Sequence, residues 1–190
     1  MRNPEARAPR ADASRNRKQL LDAATRVFAS SEALPSLREV AREAGVGIAT
    51  LYRHFPTRED LVAAIYSDQV ERLTGGARDL LAEVPPSEAL RRWMDLFGGW
   101  VASKSGMLDT LLAMIESGDI AHAQTHSELV GAIEDILRAG ESVGDLRGDV
   151  AAEDIAASLI GIFSVAPIPE HASRAGRLLD ILLNGIRPRL

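Results

Sequence analysis

The chain has 190 residues, 46% hydrophobic, 26% charged and 4% aromatic, a length that suits one domain with an appendage or two small domains and excludes a large multidomain enzyme. The absence of cysteine rules out disulfides, thiolate catalysis, zinc fingers and iron–sulfur ligation, and the wealth of Ala, Leu and Arg over β-branched and aromatic residues favours helix over sheet. The net charge of −5 conceals an asymmetry: residues 1–60 carry 11 Lys and Arg against 8 Asp and Glu, residues 61–190 carry 11 against 19, so a basic part precedes an acidic body.

Residues 1–13, with Pro, Arg and Ala but no large apolar residue beyond the first Met, read as a disordered basic arm. From Ser14 the pattern is helical: Leu20, Leu21, Ala24, Val27 and Phe28 recur at three- and four-residue intervals to about Ser30. Ser36-Leu37-Arg38-Glu39 has capping-box form and opens a second helix that ends at Gly45. A short third helix covers about Ile48–His54 and stops at Pro56. The fourth is capped by Thr57, with Asp60 three residues later; it weakens at Gly75-Gly76 and ends before Pro85-Pro86. Helical patterns follow at roughly 87–103, 107–117, 123–140, 152–165 and 171–186. No strand-like alternation survives, and the fold class expected is all-α with about nine helices. With no signal-peptide segment at its start and no apolar run near the ~20 residues of a membrane helix, a cytoplasmic protein is expected.

Residues 36–55, SLREVAREAGVGIATLYRHF, have helix-turn-helix spacing. Two helices crossing at a wide angle over a short turn need a small residue at the close approach and a glycine where the chain leaves the first helix left-handed. Ala41 and Gly45 meet these needs, while Val40, Val46 and Leu51 supply apolar contacts. The alternative for this stretch alone is an ordinary αα-corner. Its outer face, with Thr50, Tyr52, Arg53 and His54, suits phosphate and base contacts. Through REVAREAGVGIATLYRHFPTREDL the chain resembles the TetR/AcrR transcriptional regulators over about residues 15–66.

The resemblance implies a DNA-binding domain over 14–60 and a ligand-binding and dimerisation domain over 61–190. It implies that the helix at 36–44 braces the motif while the helix at 48–54 enters the major groove of double-stranded DNA, with Ile48, Ala49 and Thr50 nearest the base edges. Tyr52 and His54 match positions that contact phosphate; Arg58 stands where lysine is more frequent; Arg17 and Lys18 are further phosphate candidates. Arg53 is a contact or a solvated charge. Ser36 and Gly47, at the starts of the two helices, complete the set, Gly47 standing where a serine is more usual. Phe55 and Leu51 read as core.

In the acidic body, Leu178, Leu179, Ile181, Leu182, Leu183 and Ile186 occupy nearly every side of one helix, where a monomer's surface helix shows one stripe. Ile155, Leu159 and Ile162, with small Ala157 and Gly161 beside them, mark the helix before it. A four-helix interface between two copies follows, made from Ile155, Leu159, Ile162, Leu178, Leu179, Leu182 and Ile186, with simple core burial as the alternative. An effector cavity is expected at Trp93, Phe97, Trp100, Met107, Met114 and Phe163, with core packing the alternative for each. The segment from Ala89 to Met107 resembles the carboxyl-terminal domain of the SbtR-like subgroup of TetR regulators. His122 and His126, four apart, could share a helix face as a metal pair would, but no third ligand accompanies them, and neither metal nor cofactor is expected. The four histidines are scattered and no phosphate loop or nucleophile elbow occurs, so no enzyme is expected either. The resemblance points to a homodimeric repressor released from a near-palindromic operator by a small-molecule effector.

Overall fold

The computed structural model describes the backbone of residues 8–30, 35–104, 107–120, 122–164 and 172–188, and the side chains of these residues except 8–15, 122 and 172. Among the described residues there are nine helices and no strand: α1 (Ala8–Ser30), α2 (Leu37–Glu43), α3 (Ile48–His54), α4 (Arg58–Glu83), α5 (Pro86–Ala102), α6 (Leu108–Glu116), α7 (His122–Val143), α8 (Ala152–Ser164) and α9 (Ala172–Ile186). Residues 8–13 of the expected disordered arm are thus helical. Pro9 falls in the first turn, where a missing N–H breaks no intrahelical bond, so it does not delay the start of α1. Residues 1–7 lie outside the described residues.

The chain forms two compact units. One runs to Asp68 and includes Ser103–Ile120; the other comprises Gln69–Ala102 and Ala121–Leu190. The boundary falls inside α4, and α6 belongs with the first unit rather than with the rest of the acidic body.

In the first unit, Leu20, Leu21, Ala24 and Phe28 of α1, Val40 and Ala41 of α2, Leu51 of α3 and Leu61, Val62 and Ile65 of α4 are all buried, and α1 packs on α2 and α2 on α3. Met107 and Met114, expected at the effector cavity, are buried in this unit too. Just before α6, Lys104 Nζ lies 5.5 Å from the centre of the Tyr66 ring, and burial pulls its ammonium down to about 8. An unfolded lysine holds its proton to about 10.4. Between these values the unfolded chain binds more protons, so this group makes stability rise with pH there. Lys104→Met keeps the packed stem without the charge. It is expected to be more stable than wild type at pH 7, the gap narrowing from pH 8 to 10; urea melts at pH 7 and 9.5 check this, and a constant gap would contradict it.

The second unit has one apolar core. Leu73 and Ala77 of α4, Leu90, Trp93, Met94 and Phe97 of α5, Leu129, Ile133 and Ile136 of α7, Ile155 and Leu159 of α8 and Leu179, Leu183 and Ile186 of α9 all enter it. The helix α4 does not weaken at Gly75-Gly76: a Cβ at Gly76 would stand 3.3 Å from Leu96 Cδ1, and packing on α5 outweighs glycine's poor propensity. With Pro85-Pro86 leaving no local side-chain acceptor, the amino end of α5 is capped from afar, Ser87 N donating to Asp145 Oδ2 at 2.7 Å. Arg147 closes the far end of α9: its backbone N donates to Ile186 O at 2.9 Å and its guanidinium to Gly185 O at 3.0 Å.

Four of the residues expected at a dimer interface, Ile155, Leu159, Leu179 and Ile186, lie in this internal core. Helical periodicity turns them inward together, with Ile162 and Leu182 packed at the margin and Leu178 half-buried. The apolar residues left outward are Ile160 on α8 and Ile181 on α9, 53% and 67% exposed, with Ala157 and Gly161 exposed beside Ile160.

Candidate nucleic-acid interface

The geometry of the first unit is set by caps. Ser36 is the N-cap of α2: its Oγ accepts from Glu39 N at 3.2 Å, while its own N–H donates to Glu39 Oε2 at 2.7 Å. These bonds favour the charged carboxyl and hold Glu39 below its ordinary range. The helix is seven residues long, too short to persist without such help. Ser36→Ala is expected to cost about 1 kcal/mol and to raise amide exchange in α2 before α1; uniform protection across both would contradict it.

After α2, Gly45 turns the chain at φ +69°, in the left-handed region that residues with a Cβ avoid. Val46 N then donates to Ala41 O at 3.0 Å. The next helix, α3, begins at Gly47, which is extended and offers no side-chain cap. It is held instead from below, by Leu51 and then Phe55, both buried. At the start of α4 the capping pair recurs, Asp60 N donating to Thr57 Oγ1 and Thr57 N to Asp60 Oδ2, both at 3.0 Å.

With Leu51 as its single buried residue, α3 turns only part of the expected outer face fully to solvent, since Thr50 and His54 are partly covered. Ala49, Tyr52 and Arg53 are exposed and share a face by their three- and four-residue spacing, while Ile48, Thr50 and His54 are half-buried. Tyr52 is 49% exposed. Arg53 is not a loose charge: its Nε donates to Ala49 O at 3.2 Å and its Nη2 to Thr50 Oγ1 at 3.0 Å. Spacing places Arg53 beside Thr50, but only coordinates show that the guanidinium folds back and orients the hydroxyl. Arg17 is spread over Phe55, its Cζ 5.1 Å from the ring centre; Lys18 and Ser36 are exposed. Arg58 is half-buried and its Nη1, shielded from solvent, has no hydrogen-bond acceptor among the described residues. A buried donor without an acceptor is costly, and a phosphate oxygen would supply one.

The effector set divides. Trp93, Phe97, Trp100 and Phe163 come together in the second unit, with Phe97 at the centre: its ring lies 5.8 Å from Trp93, 5.3 Å from Trp100 and 6.0 Å from Phe163. Met107 and Met114 lie in the other unit. Trp93 is fully buried and its indole N–H donates to Leu73 O at 2.9 Å, the mark of a core residue. Gly98 belongs to this group as well: a Cβ there would stand 2.5 Å from Phe163 Cζ, and the glycine pair between Phe97 and Trp100 is its only mark in the sequence. His126 is exposed, the side chain of His122 lies outside the described residues, and among the described residues no three His, Asp or Glu side chains cluster as a metal site. Nor is any described helix long and apolar enough to cross a membrane.

Residues 20–65 match the family model for bacterial regulatory proteins of the tetR family, and residues 85–188 that for the SbtR-like transcriptional regulator carboxyl-terminal domain. The chain is 41% identical to a TetR transcriptional regulator of Streptomyces coelicolor of known crystal structure, covering 92% of this chain and 99% of that one, with a TM-score of 0.84. A TetR regulatory protein of Mycobacterium vanbaalenii is 32% identical over 94% of this chain and 99% of its own, with a TM-score of 0.75. A ketosteroid transcriptional regulator of Mycobacterium tuberculosis, 22% identical over 91% and 95% of the two chains with a TM-score of 0.60, shares the fold. No curated protein matches the chain.

Proposed function

Because the chain belongs to the TetR family of bacterial transcriptional regulators, we propose that it is a ligand-responsive, homodimeric repressor that leaves a near-palindromic operator when a small-molecule effector binds. The observation that carries the DNA-reading part is the pairing of a capped α2 and an α3 seated on buried Leu51 and Phe55 with an outward face of Ala49, Tyr52 and Arg53, and a shielded Arg58 donor at the start of α4. In this reading residues 14–60 hold the reader. Gly47, Ile48, Ala49 and Thr50 approach the bases, Arg53 holding the Thr50 hydroxyl in place, while Arg17, Lys18, Ser36, Tyr52, His54 and Arg58 take phosphates.

Residues 61–190 dimerise and sense. Ile160 and Ile181 are the large exposed apolar side chains of α8 and α9. Gly161 has open space where a Cβ would stand, so a second copy's helix can come close there. The effector lies against the aromatic group of the second unit. Since α4 contributes to both units, a ligand that binds one conformer better shifts the spacing of the two recognition helices and releases successive major grooves.

Two measurements test this. Native mass spectrometry of the full chain is expected to show a dimer, with or without a co-purified small molecule. In vitro selection of duplexes is expected to recover a near-palindrome whose affinity falls steeply with salt. A monomer under all conditions, or no duplex retained at low salt, would overturn the assignment.

A further inference from the structure

The carboxyl-terminal turn of α8 puts a phenyl ring against the backbone of α5. At Gly98 the nearest atoms to a would-be Cβ are Phe163 Cζ at 2.5 Å and Cε1 at 2.6 Å. No residue with a Cβ could stand there while the ring keeps its seat, so Gly98 leaves a notch and Phe163 fills it edge-on. Phe97 forms one wall, tilted 45° to the Phe163 ring, and Trp100 lies beyond Phe97. Beneath them Trp93 stacks on Phe97 and is tied to the carbonyl of Leu73, so the floor is fixed. Phe163, by contrast, is half-buried, so one side of its ring meets solvent while the other fills space bounded by Phe97 and the backbone at Gly98.

We infer that this notch is a ring-accepting slot plugged by Phe163, and that the effector is an uncharged compound whose flat ring takes the place of the Phe163 ring. The inference rests on the reading of the second unit as the effector-binding part and gives that ligand a chemical class. An anion would be stripped of water against ring faces that are themselves negative, a burial with nothing to compensate it; a neutral ring gains edge-to-face contacts with Phe97 without that cost. Seating it displaces a side chain of α8, the helix that also carries Ile160 on the outward face proposed for dimerisation.

The test uses the full chain with indole as probe and indole-3-acetate as its charged counterpart, affinities being read by ligand-observed NMR titration. Phe163→Ala opens the slot and is expected to bind indole at least tenfold more tightly than wild type. Adding Gly98→Ala to that variant is expected to remove at least tenfold of affinity: the methyl now has room, helix propensity favours alanine, and the notch is filled. On Phe163→Ala, indole-3-acetate is expected to bind at least tenfold more weakly than indole. Phe163→Leu, a smaller change, serves if Phe163→Ala does not fold, with the same order expected. Indole affinity indifferent to positions 98 and 163 overturns the slot. If instead those positions govern indole affinity but bound indole leaves the affinity for a selected duplex unchanged, the slot stands and the effector reading falls.

Discussion

Trp93→Ala is expected to lower the unfolding free energy by about 3–5 kcal/mol, the range for emptying the space of a large buried aromatic side chain. A typical domain has only about 5–15 kcal/mol in all, so the second unit would be close to unfolding. The size follows from where the side chain sits: none of it is exposed, it stacks on Phe97 at 5.8 Å, and its indole N–H reaches Leu73 O. Trp93→Phe separates two parts of the loss. It keeps most of the apolar area and gives up the indole hydrogen bond, for an expected cost of about 1–2 kcal/mol. The chain has two tryptophans and one of them is the residue replaced, so the urea transition of each variant is followed by far-ultraviolet circular dichroism, which reads the helices and needs no indole. A Trp93→Ala cost below about 1 kcal/mol would mean that the residue lines a yielding cavity and not the core.

For DNA, the largest expected effect belongs to Tyr52→Phe combined with Arg58→Ala. A hydrogen bond to a charged group contributes about 1.5–3 kcal/mol, so each lost phosphate contact costs roughly tenfold or more in affinity. A dimer loses every contact twice, four in all, and the double variant is expected to bind a selected duplex at least about ten-thousandfold more weakly, on specific and nonspecific sequences alike. The two residues separate by salt. Arg58→Ala alone removes one cation per protomer and should flatten the log–log salt dependence by about 2 per dimer, whereas Tyr52→Phe weakens binding without changing the slope. Because the shielded Arg58 Nη1 has no acceptor among the described residues and such a donor costs stability, its removal should not lower the melting temperature and is expected to raise it slightly. Equal salt slopes for wild type and Arg58→Ala would remove Arg58 from the phosphate contacts.

Local chemistry made the reader legible without coordinates. Ser36 with Glu39, Thr57 with Asp60, Gly45 at the turn and Pro56 after α3 are signals whose meaning depends on neighbours within about four residues, and the observed elements follow them closely. Where expectation and structure part, the deciding contact comes from a distant element. Met107 and Met114 share the aromatic group's apolar character but belong to another unit. Ile155, Leu159, Leu179 and Ile186 have the side chains an interface would use, and the chain's own α5 and α7 supply their partners in the core. The glycine pair at 75 and 76 weakens an isolated helix, and Leu96, twenty residues on, packs where the weakness would lie.

The sequence by itself determined the all-α class, the helix-turn-helix and most helix boundaries, though not the start of α1 and not that Thr50 and His54 are half-buried, because caps, glycine turns and helical periodicity act over one or two turns of chain. Only the tertiary structure decided which apolar residues are spent on the internal core and which are left to meet another molecule. That choice depends on which helices become neighbours, and a side chain carries no local mark of the partner that will cover it. The opening asymmetry of charge separated a basic part from an acidic body at residue 60; packing moved α6 across that division and set the boundary inside α4, where one continuous helix serves both units.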